Sequence, residues 1–367
     1  MVKQKPSQNR GVKSPPRLID VAEMAGVSVG VVSGILNGGG GNSRASAETI
    51  AKVKSLSDRL GYVPHAGARH MRGKRTFTYG ILVASAGDPL RSFLVQDLDI
   101  EAAKCGRHTI ICNTIGNPQM GSDRFSVEVH SLTQRGVDGV FCAVHSWWPG
   151  DREELLRVHP NTVFYEDPKI PGAVTVAVDR DAAARIAVRH LAARGYKRIA
   201  LVVENMDNAV GREQLAGYRE ALNNLDMPFE PGLIFDGEQC DWVCGCYDNA
   251  SGKWSFPVEV AEQAIEQLVV REGADAIVAH NDYWASIFIR LLHARGLRVP
   301  HDVAVIGYLN HYLADWTDPP LTSISPRHDV AARVMVEKLE RMITKGSLPE
   351  AEQTTLIEPQ LIQRDST

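Results

Sequence analysis

The sequence predicts an all-α helix-turn-helix head followed by an α/β body of two doubly wound parallel-sheet subdomains. Two observations carry that expectation. Charge is split along the chain: residues 1–76 hold 13 Lys and Arg against 4 Asp and Glu, and the remaining 291 hold 27 against 40. The hydrophobic pattern changes at the same place, from short helical periods to apolar runs alternating with amphipathic stretches from Phe77 onward. A head of net +9 on a body of net −13 points to a polyanion as the partner of the head alone.

At 44% hydrophobic and 23% charged residues the chain has the profile of globular domains with sizeable cores. It has no apolar run long enough to span a bilayer as a helix. The stretch Met1–Asp20 is basic and polar without the apolar segment of a secretory signal, so a cytoplasmic, nucleoid-associated protein is expected. Its six cysteines (105, 112, 142, 240, 244 and 246) are then expected as reduced thiols. Residues 1–16 read as a flexible basic tail.

In the head, Val21, Ala22 and Ala25 share one helical face. Gly26-Val27-Ser28 follows: a glycine suited to positive φ, an apolar plug, and a serine suited to capping the next helix. Val32, Ile35 and Leu36 form the inner face of that second helix, which leaves Val29, Gly30, Ser33 and Gly34 outward. A third helix is expected from Ser46, its cap, to Leu60, with Ile50, Val53, Leu56 and Leu60 inward and Gly61 as its stop. Such an arrangement presents the second helix to a major groove.

The body alternates. Strands are expected at Tyr79–Ala84, His108–Cys112, Val137–Val144, Thr162–Tyr165 and Val174–Val178, separated by helices at Ser92–Cys105, Arg124–Arg135 and from Asp151. Phe93, Leu94, Leu98 and Ala102 are the inward positions of the first of these helices. A second series follows, with strands at Arg198–Val203, Leu233–Phe235, Ala276–Ala279 and Val303–Ile306. Its helices are Asp181–Arg194, Gly211–Leu222, Val258–Glu272 and Tyr283–Arg295. A ligand belongs at the strand C-terminal ends, in a crevice shared by the halves.

The stretch Leu18-Ile19-Asp20-Val21-Ala22-Glu23-Met24-Ala25-Gly26-Val27-Ser28, with Val32-Ser33, Leu36-Asn37 and later Leu60-Gly61-Tyr62-Val63-Pro64, Ala68-Arg69 and Met71, resembles the DNA-binding head of the LacI/GalR family of bacterial transcriptional regulators. The resemblance implies a helix-turn-helix domain over 17–63, a hinge helix over 64–76, and a periplasmic-binding-protein-like effector domain over 77–367. The first subdomain would hold about 77–177 and 326–348, and the second about 178–325 and 349–367. Crossings are expected near Ala177–Asp179, Ile324–Pro326 and Leu348–Gln353. The helix Asp329–Thr344 would then return to the first subdomain and the strand Thr354–Ile357 to the second. In the hinge, Met71 stands where the family wedges a leucine into the minor groove.

The family usually presents polar side chains at the positions of Val29 and Gly30 and an arginine at that of Gly34. Here no side chain in that helix makes a bidentate bond to guanine. Gly38-Gly39-Gly40-Gly41 also lengthens the following turn. One reading keeps a DNA-binding head that reads thymine methyls with Val29 and Val31 beside Gly30. Ser28, Ser33, Asn37, Ser46 and Thr49 would then lie on phosphates, with Arg17, Tyr62, His65, Ala68, Arg69 and Met71 completing the interface. Its discrimination would rest on the hinge and on DNA shape. The other reading is a degenerate head on a ligand-binding protein of the same fold.

Effector positions carried over from the resemblance are Leu90, Arg91, Ala143, His145, Asp167, Arg212, Gln214, Trp242, Asn281, Asp282 and Leu309. Four depart from the family pattern. Leu90 and Arg91 replace aromatics, Gln214 replaces a gripping arginine, and Leu309 replaces the acid that clamps sugar hydroxyls, so the bidentate grip on vicinal hydroxyls is gone. Trp147, Trp148, Trp242, Trp284 and Trp316 offer stacking surfaces, although packing or a subunit interface is the ordinary role of each.

The resemblance implies a homodimeric repressor on a near-palindromic operator, with a sugar or related metabolite as effector, no cofactor and no membrane. Two other classes fit the sequence less well. A transport-type solute receptor is opposed by the basic head and the lack of a signal segment. An enzyme lacks an assembled motif: Gly26-Val27-Ser28-Val29-Gly30 matches a nucleophile elbow in letters, but a helix precedes the serine where that chemistry needs a strand. Cys240, Cys244 and Cys246 could hold zinc or another soft metal with one further ligand, but their spacing is not a standard zinc pattern, so reduced thiols and no metal are the expectation.

Overall fold

A computed structural model describes residues 16–36, 45–62, 75–84, 91–114, 124–144, 150–203, 205–237, 247–248, 253–254 and 258–367. These fall into two compact units that part at Thr76–Phe77.

The head comprises α1 (Leu18–Ala25), α2 (Val29–Leu36) and α3 (Ala47–Leu60). The Asp20 carboxylate accepts from the Arg17 backbone N–H at 2.6 Å and opens α1. Gly26, at φ 71°, ends it, and the N–H groups of Gly26 and Val27 close on the carbonyls of Glu23 and Ala22. A left-handed residue here suits glycine, because a Cβ would crowd the following carbonyl. The chain turns by 108° into α2, where Ser28 Oγ accepts from Val31 N at 3.3 Å. Ser46 Oγ caps α3 by accepting from Thr49 N at 3.2 Å. Val21, Ala22, Ala25, Val32, Val53 and Leu56 form the core, with Ile35, Leu36, Leu60 and Tyr62 packed on its margin.

The body begins with β1 (Thr78–Val83), α4 (Ser92–Lys104), β2 (His108–Asn113), α5 (Arg124–Arg135), β3 (Gly139–Cys142), α6 (Arg152–Val158), β4 (Thr162–Tyr165) and β5 (Val174–Val178). It continues with α7 (Arg180–Ala193), β6 (Ile199–Val203), α8 (Ala209–Asn224) and β7 (Ile234–Asp236). The short pair β8 (Tyr247–Asp248) and β9 (Lys253–Trp254) precedes α9 (Val258–Ile265), which runs on as a π-helical turn to Arg271. Then come β10 (Ala276–Val278), α10 (Asp282–Ala294), β11 (Ala304–Tyr308), β12 (Thr322–Ser325), α11 (His328–Lys345), β13 (Thr354–Ile357) and β14 (Gln360–Ile362).

The two sheets run β13-β5-β4-β3-β1-β2 and β14-β12-β11-β10-β6-β7. Setting aside the outermost β13 and β14, both have the doubly wound order 2-1-3-4-5, with switch points between β1 and β3 and between β6 and β10. All pairings in these sheets are parallel except β12 with β14. Each sheet is buried on both faces, which explains strands such as Ile199–Val203 that are apolar throughout. Side-chain caps set the helix starts: Asp179 accepts from Ala182 N, Asn208 from Gly211 N, and Asn281 from the N–H groups of Tyr283 and Trp284. At Gly217 a Cβ would stand 2.2 Å from the Asp181 carbonyl, so only glycine lets α8 sit this close to α7.

One expected boundary is corrected. Thr354–Ile357 pairs in parallel with Val174–Val178 and so completes the first lobe, while Gln360–Ile362 joins the second beside β12. The last crossing therefore lies between Ile357 and Gln360 rather than at Leu348–Gln353, and Leu348 packs in the first lobe's core. The inward assignment of Phe93 is corrected as well. Leu94, Val95, Leu98 and Ala102 fill the core, whereas the Phe93 ring reaches the second lobe, 5.0 Å from His311 and 6.2 Å from Tyr312.

Candidate functional site

Two surfaces concentrate the residues singled out above: the outer face of α2 and the cleft between the lobes. On the head, Ser28, Val29 and Gly30 are exposed, Val29 at 41%, and Val31 is half-buried. Ser33 is not outward as expected. It is 3% exposed, because a 100° step from Val32 places it on the shoulder of the packed face, where a small hydroxyl side chain fits. Arg17 is exposed beside the start of α1, and the hydroxyls of Ser46 and Thr49 lie 2.9 Å apart at the start of α3. Tyr62 is half-buried against the head core, and its carbonyl accepts from Ser57 Oγ at 3.2 Å. Asn37, His65, Ala68, Arg69 and Met71 lie outside the described residues.

In the body, Ala143 directly follows β3 at the first switch point and is fully buried. Arg91, at the start of α4, is buried over the Tyr165 ring, 4.7 Å from its centroid, and pairs with Glu166. Glu166 also receives Arg180 at 2.8 Å, and Arg180 reaches Glu213 at 3.3 Å. Glu166 belongs to the first lobe and Arg180 opens the first helix of the second, so the carboxylate ties the lobes beside the first crossing. Burial raises the pKa values of Tyr165 and Tyr308 around this group. Burial, reinforced by Arg91, lowers that of His328 to about 3 and keeps the imidazole neutral.

The Asp167 assignment is corrected by this geometry. Asp167 is half-exposed and held by Lys169, whose N–H and ammonium each stand 2.7 Å from it. It lines a side pocket of about 270 Å³ with Asp179, Asp181 and Glu213, while its neighbour Glu166 is the acid of the inter-lobe network. β4 ends at Tyr165, so a shift of one residue decides which carboxylate turns inward.

In the second lobe Gln214 is 8% exposed, and its Oε1 has no hydrogen-bond partner among the described residues. Arg212 is exposed and donates to the Asp207 carbonyl. Asn281 spends its side-chain oxygen on the cap of α10. Asp282 is corrected from ligand contact to internal brace. It has no exposed surface, and its carboxylate accepts from Ser323 Oγ at 2.6 Å and His311 N at 2.7 Å. Those bonds fix the turn at Leu309 and Asn310, both at positive φ (115° and 49°). Leu309 is 9% exposed at the cleft. His311 follows, with Nε2 2.8 Å from the Tyr283 hydroxyl and Nδ1 accepting from Leu313 N. Trp284 is a core residue at 1% exposure, whereas Trp316 is 76% exposed beside Tyr312. Leu90, His145, Trp147, Trp148, Trp242, Cys240, Cys244 and Cys246 lie outside the described residues.

Sequence reasoning missed Glu166, Arg180, Tyr308, His311 and His328. Arg180 and His328 carry the one available signal, since each stands just after an expected crossing.

A three-helix head ahead of two like-wound lobes that meet at their strand C-terminal ends defines a transcriptional regulator with a receptor-type body. A family model for a periplasmic binding protein-like domain matches residues 188–367. The chain is 27% identical over 359 residues to the HTH-type transcriptional regulator DegA of Bacillus subtilis (strain 168), covering 95% of this chain and 97% of the relative. It is 28% identical over 352 residues to the ribose operon repressor of Escherichia coli (strain K12), covering 95% and 98%. Among solved structures, a complex of the transcriptional regulator CelR with cellobiose matches at 27% identity and a TM-score of 0.65, over 96% of this chain and 100% of that one. A Lac repressor dimer bound to operator and the anti-inducer ONPF shares the fold at a TM-score of 0.75 and 24% identity, over 96% and 99%. The relatives it matches over nearly its whole length are transcriptional regulators, and the chain is similar to the LacI/GalR family throughout. Its relatives are regulators rather than enzymes.

Proposed function

We propose that the protein is a cytoplasmic homodimeric repressor that binds a near-palindromic operator, with α2 of each head in a major groove and residues 64–76 as hinge. A small metabolite between the lobes modulates DNA affinity, through its different affinity for the DNA-competent and incompetent forms. The observation that carries this reading is the head itself. Val32, Ile35 and Leu36 hold α2 against its neighbours while Ser28, Val29 and Gly30 stay free at its first turn. Dimerisation is supported by apolar surface on the first lobe, where Ile100, Ile111 and Val127 are 44–61% exposed around the edge strand β2, and by Trp316 on the second. Without arginine at Gly34 or a polar side chain at Gly30, phosphate contacts and DNA shape carry most of the binding, and base discrimination is modest.

Selection of genomic fragments by the full chain, across a salt series, tests this. Enrichment of a two-fold-related sequence, lost on deletion of residues 1–76, is expected. Uniform binding without any enriched sequence overturns the operator reading and favours a degenerate head.

A further inference from the structure

The outer side of α2 carries apolar groups and bare backbone. Between Val29 and Leu36 the one polar residue is Ser33, and it is 3% exposed. Ser28, just ahead of the helix, turns its hydroxyl oxygen to the Val31 N–H at 3.3 Å. The first turn is the part of this motif that reaches base edges. Here it presents Val29 at 41% exposure, the exposed backbone of Gly30 and the half-buried Val31. Gly34 stands about 40° round the helix from Gly30 and continues the bare strip. Neither packing nor backbone geometry calls for glycine at position 30. It lies inside a helix, is not among the positive-φ residues, and a Cβ there would meet nothing nearer than Ser28 Oγ at 3.8 Å. Glycine inside a helix lowers its stability; what it permits is close approach of the backbone to whatever the helix faces. Residues 1–76 carry a net charge of +9, which suits duplex DNA as the occupant of this face.

We propose that α2 reads C5-methyl groups: Val29 packs on the methyl of a pyrimidine in the major groove, and the bare strip at Gly30 and Gly34 lets the helix come near enough for that contact. This rests on the reading of the head as operator-binding and names what the head recognises there. In the major groove an apolar side chain meets thymine through its methyl, whereas the O4 of thymine and the N4 of cytosine are told apart by hydrogen bonds. A helix face without such bonds takes thymine and 5-methylcytosine alike and discriminates against uracil and unmethylated cytosine. Binding then responds to cytosine methylation wherever a cytosine occupies the Val29 position of a half-site.

Selection from a random duplex library by the full chain, followed by anisotropy titration of the enriched duplex at fixed salt, tests the proposal. Each symmetric thymine pair is replaced in turn by deoxyuridine, by 5-methylcytosine opposite guanine, and by cytosine opposite guanine. At one pair the loss from thymine to uracil is expected to be about fourfold per methyl, or about fifteenfold over both half-sites. The loss from 5-methylcytosine to cytosine at that pair should be of the same size; each comparison leaves the minor-groove edge of the base pair unchanged. Val29→Ala should bring both ratios to within about twofold of one. It should leave the helical signal and thermal unfolding of the protein unchanged, because Val29 stands outside the head core. An enriched duplex without a symmetric thymine pair, equal binding of thymine and uracil forms at every pair, a 5-methylcytosine duplex no tighter than its cytosine form, or methyl ratios that survive in Val29→Ala each overturns the proposal and leaves the operator reading standing. If no sequence is enriched at all, the operator reading falls and takes the proposal with it.

Discussion

Replacing Asp282 by Asn should remove a pH dependence from the stability of the second lobe. Asp282 is fully buried, and burial, its largest influence, raises its pKa from 3.8 to about 7 against the opposing bonds from Ser323 and His311. The folded state therefore holds this proton more tightly than the unfolded chain. Between about pH 4 and pH 7 the native protein carries more of it, so stability is full below the unfolded pKa and falls as pH rises through the folded one. At about 1.36 kcal/mol per unit, the loss amounts to about 4 kcal/mol at most. Asn is neutral in both states and keeps one acceptor for His311 N, while the Ser323 hydroxyl turns to accept from the new amide. Urea unfolding followed by Trp284 fluorescence reads the same lobe, since this tryptophan is 1% exposed and two residues along α10. The variant should gain on wild type steadily from pH 4 to 7. A constant gap across that range, or one that widens in favour of wild type, refutes the argument.

Three further outcomes follow from the packing. Gly217→Ala pushes a methyl against the Asp181 carbonyl at 2.2 Å, and should cost about 3 kcal/mol in chemical denaturation by forcing α7 and α8 apart. Ser46→Ala removes the cap of α3 and should lower head stability by about 1 kcal/mol, read as helical signal lost on heating. Glu340→Gln weakens the acceptor of the paired Arg107 bonds at 2.6 and 2.8 Å and of the Tyr79 hydroxyl, and should cost the body about 3 kcal/mol by thermal unfolding.

The fold was legible where local pattern decides it. Gly26 between two apolar faces announces the helix turn, and runs such as Ile199–Val203 announce strands buried on both sides. What stayed hidden depends on distant partners. Nothing in Thr354–Ile357 says which sheet it joins, because an edge strand takes its lobe from the neighbour that accepts its backbone, here Val174–Val178. Glu166 and Asp167 are adjacent acids, and only the strand end at Tyr165 decides which turns inward. Asp282 looks like a ligand-binding acid in sequence. It is buried because Gly307 leaves room for it: a Cβ there would stand 2.1 Å from its Oδ1. The pattern of α2 likewise assigned Ser33 to solvent, since period alone cannot separate the shoulder of a face from its back.

The helix α11 connects the inter-lobe ion group with the far end of the first lobe. His328 begins this helix at the second crossing, its ring 5.9 Å from that of Tyr165 beside the Arg91–Glu166 pair. Twelve residues on, about 18 Å along the axis, Glu340 holds Arg107. That arginine lies 3.5 Å from Asp138 and over the ring of Phe77, the first residue of the body. The Phe77 N–H in turn donates to Asp138 at 2.8 Å. One uninterrupted helix thus spans from the inter-lobe charge network to the clamp on Phe77, the first residue of the body. A sheet packed on both faces couples the two ends of α11 through one rigid element, so no relay of separate side-chain contacts is needed to connect them.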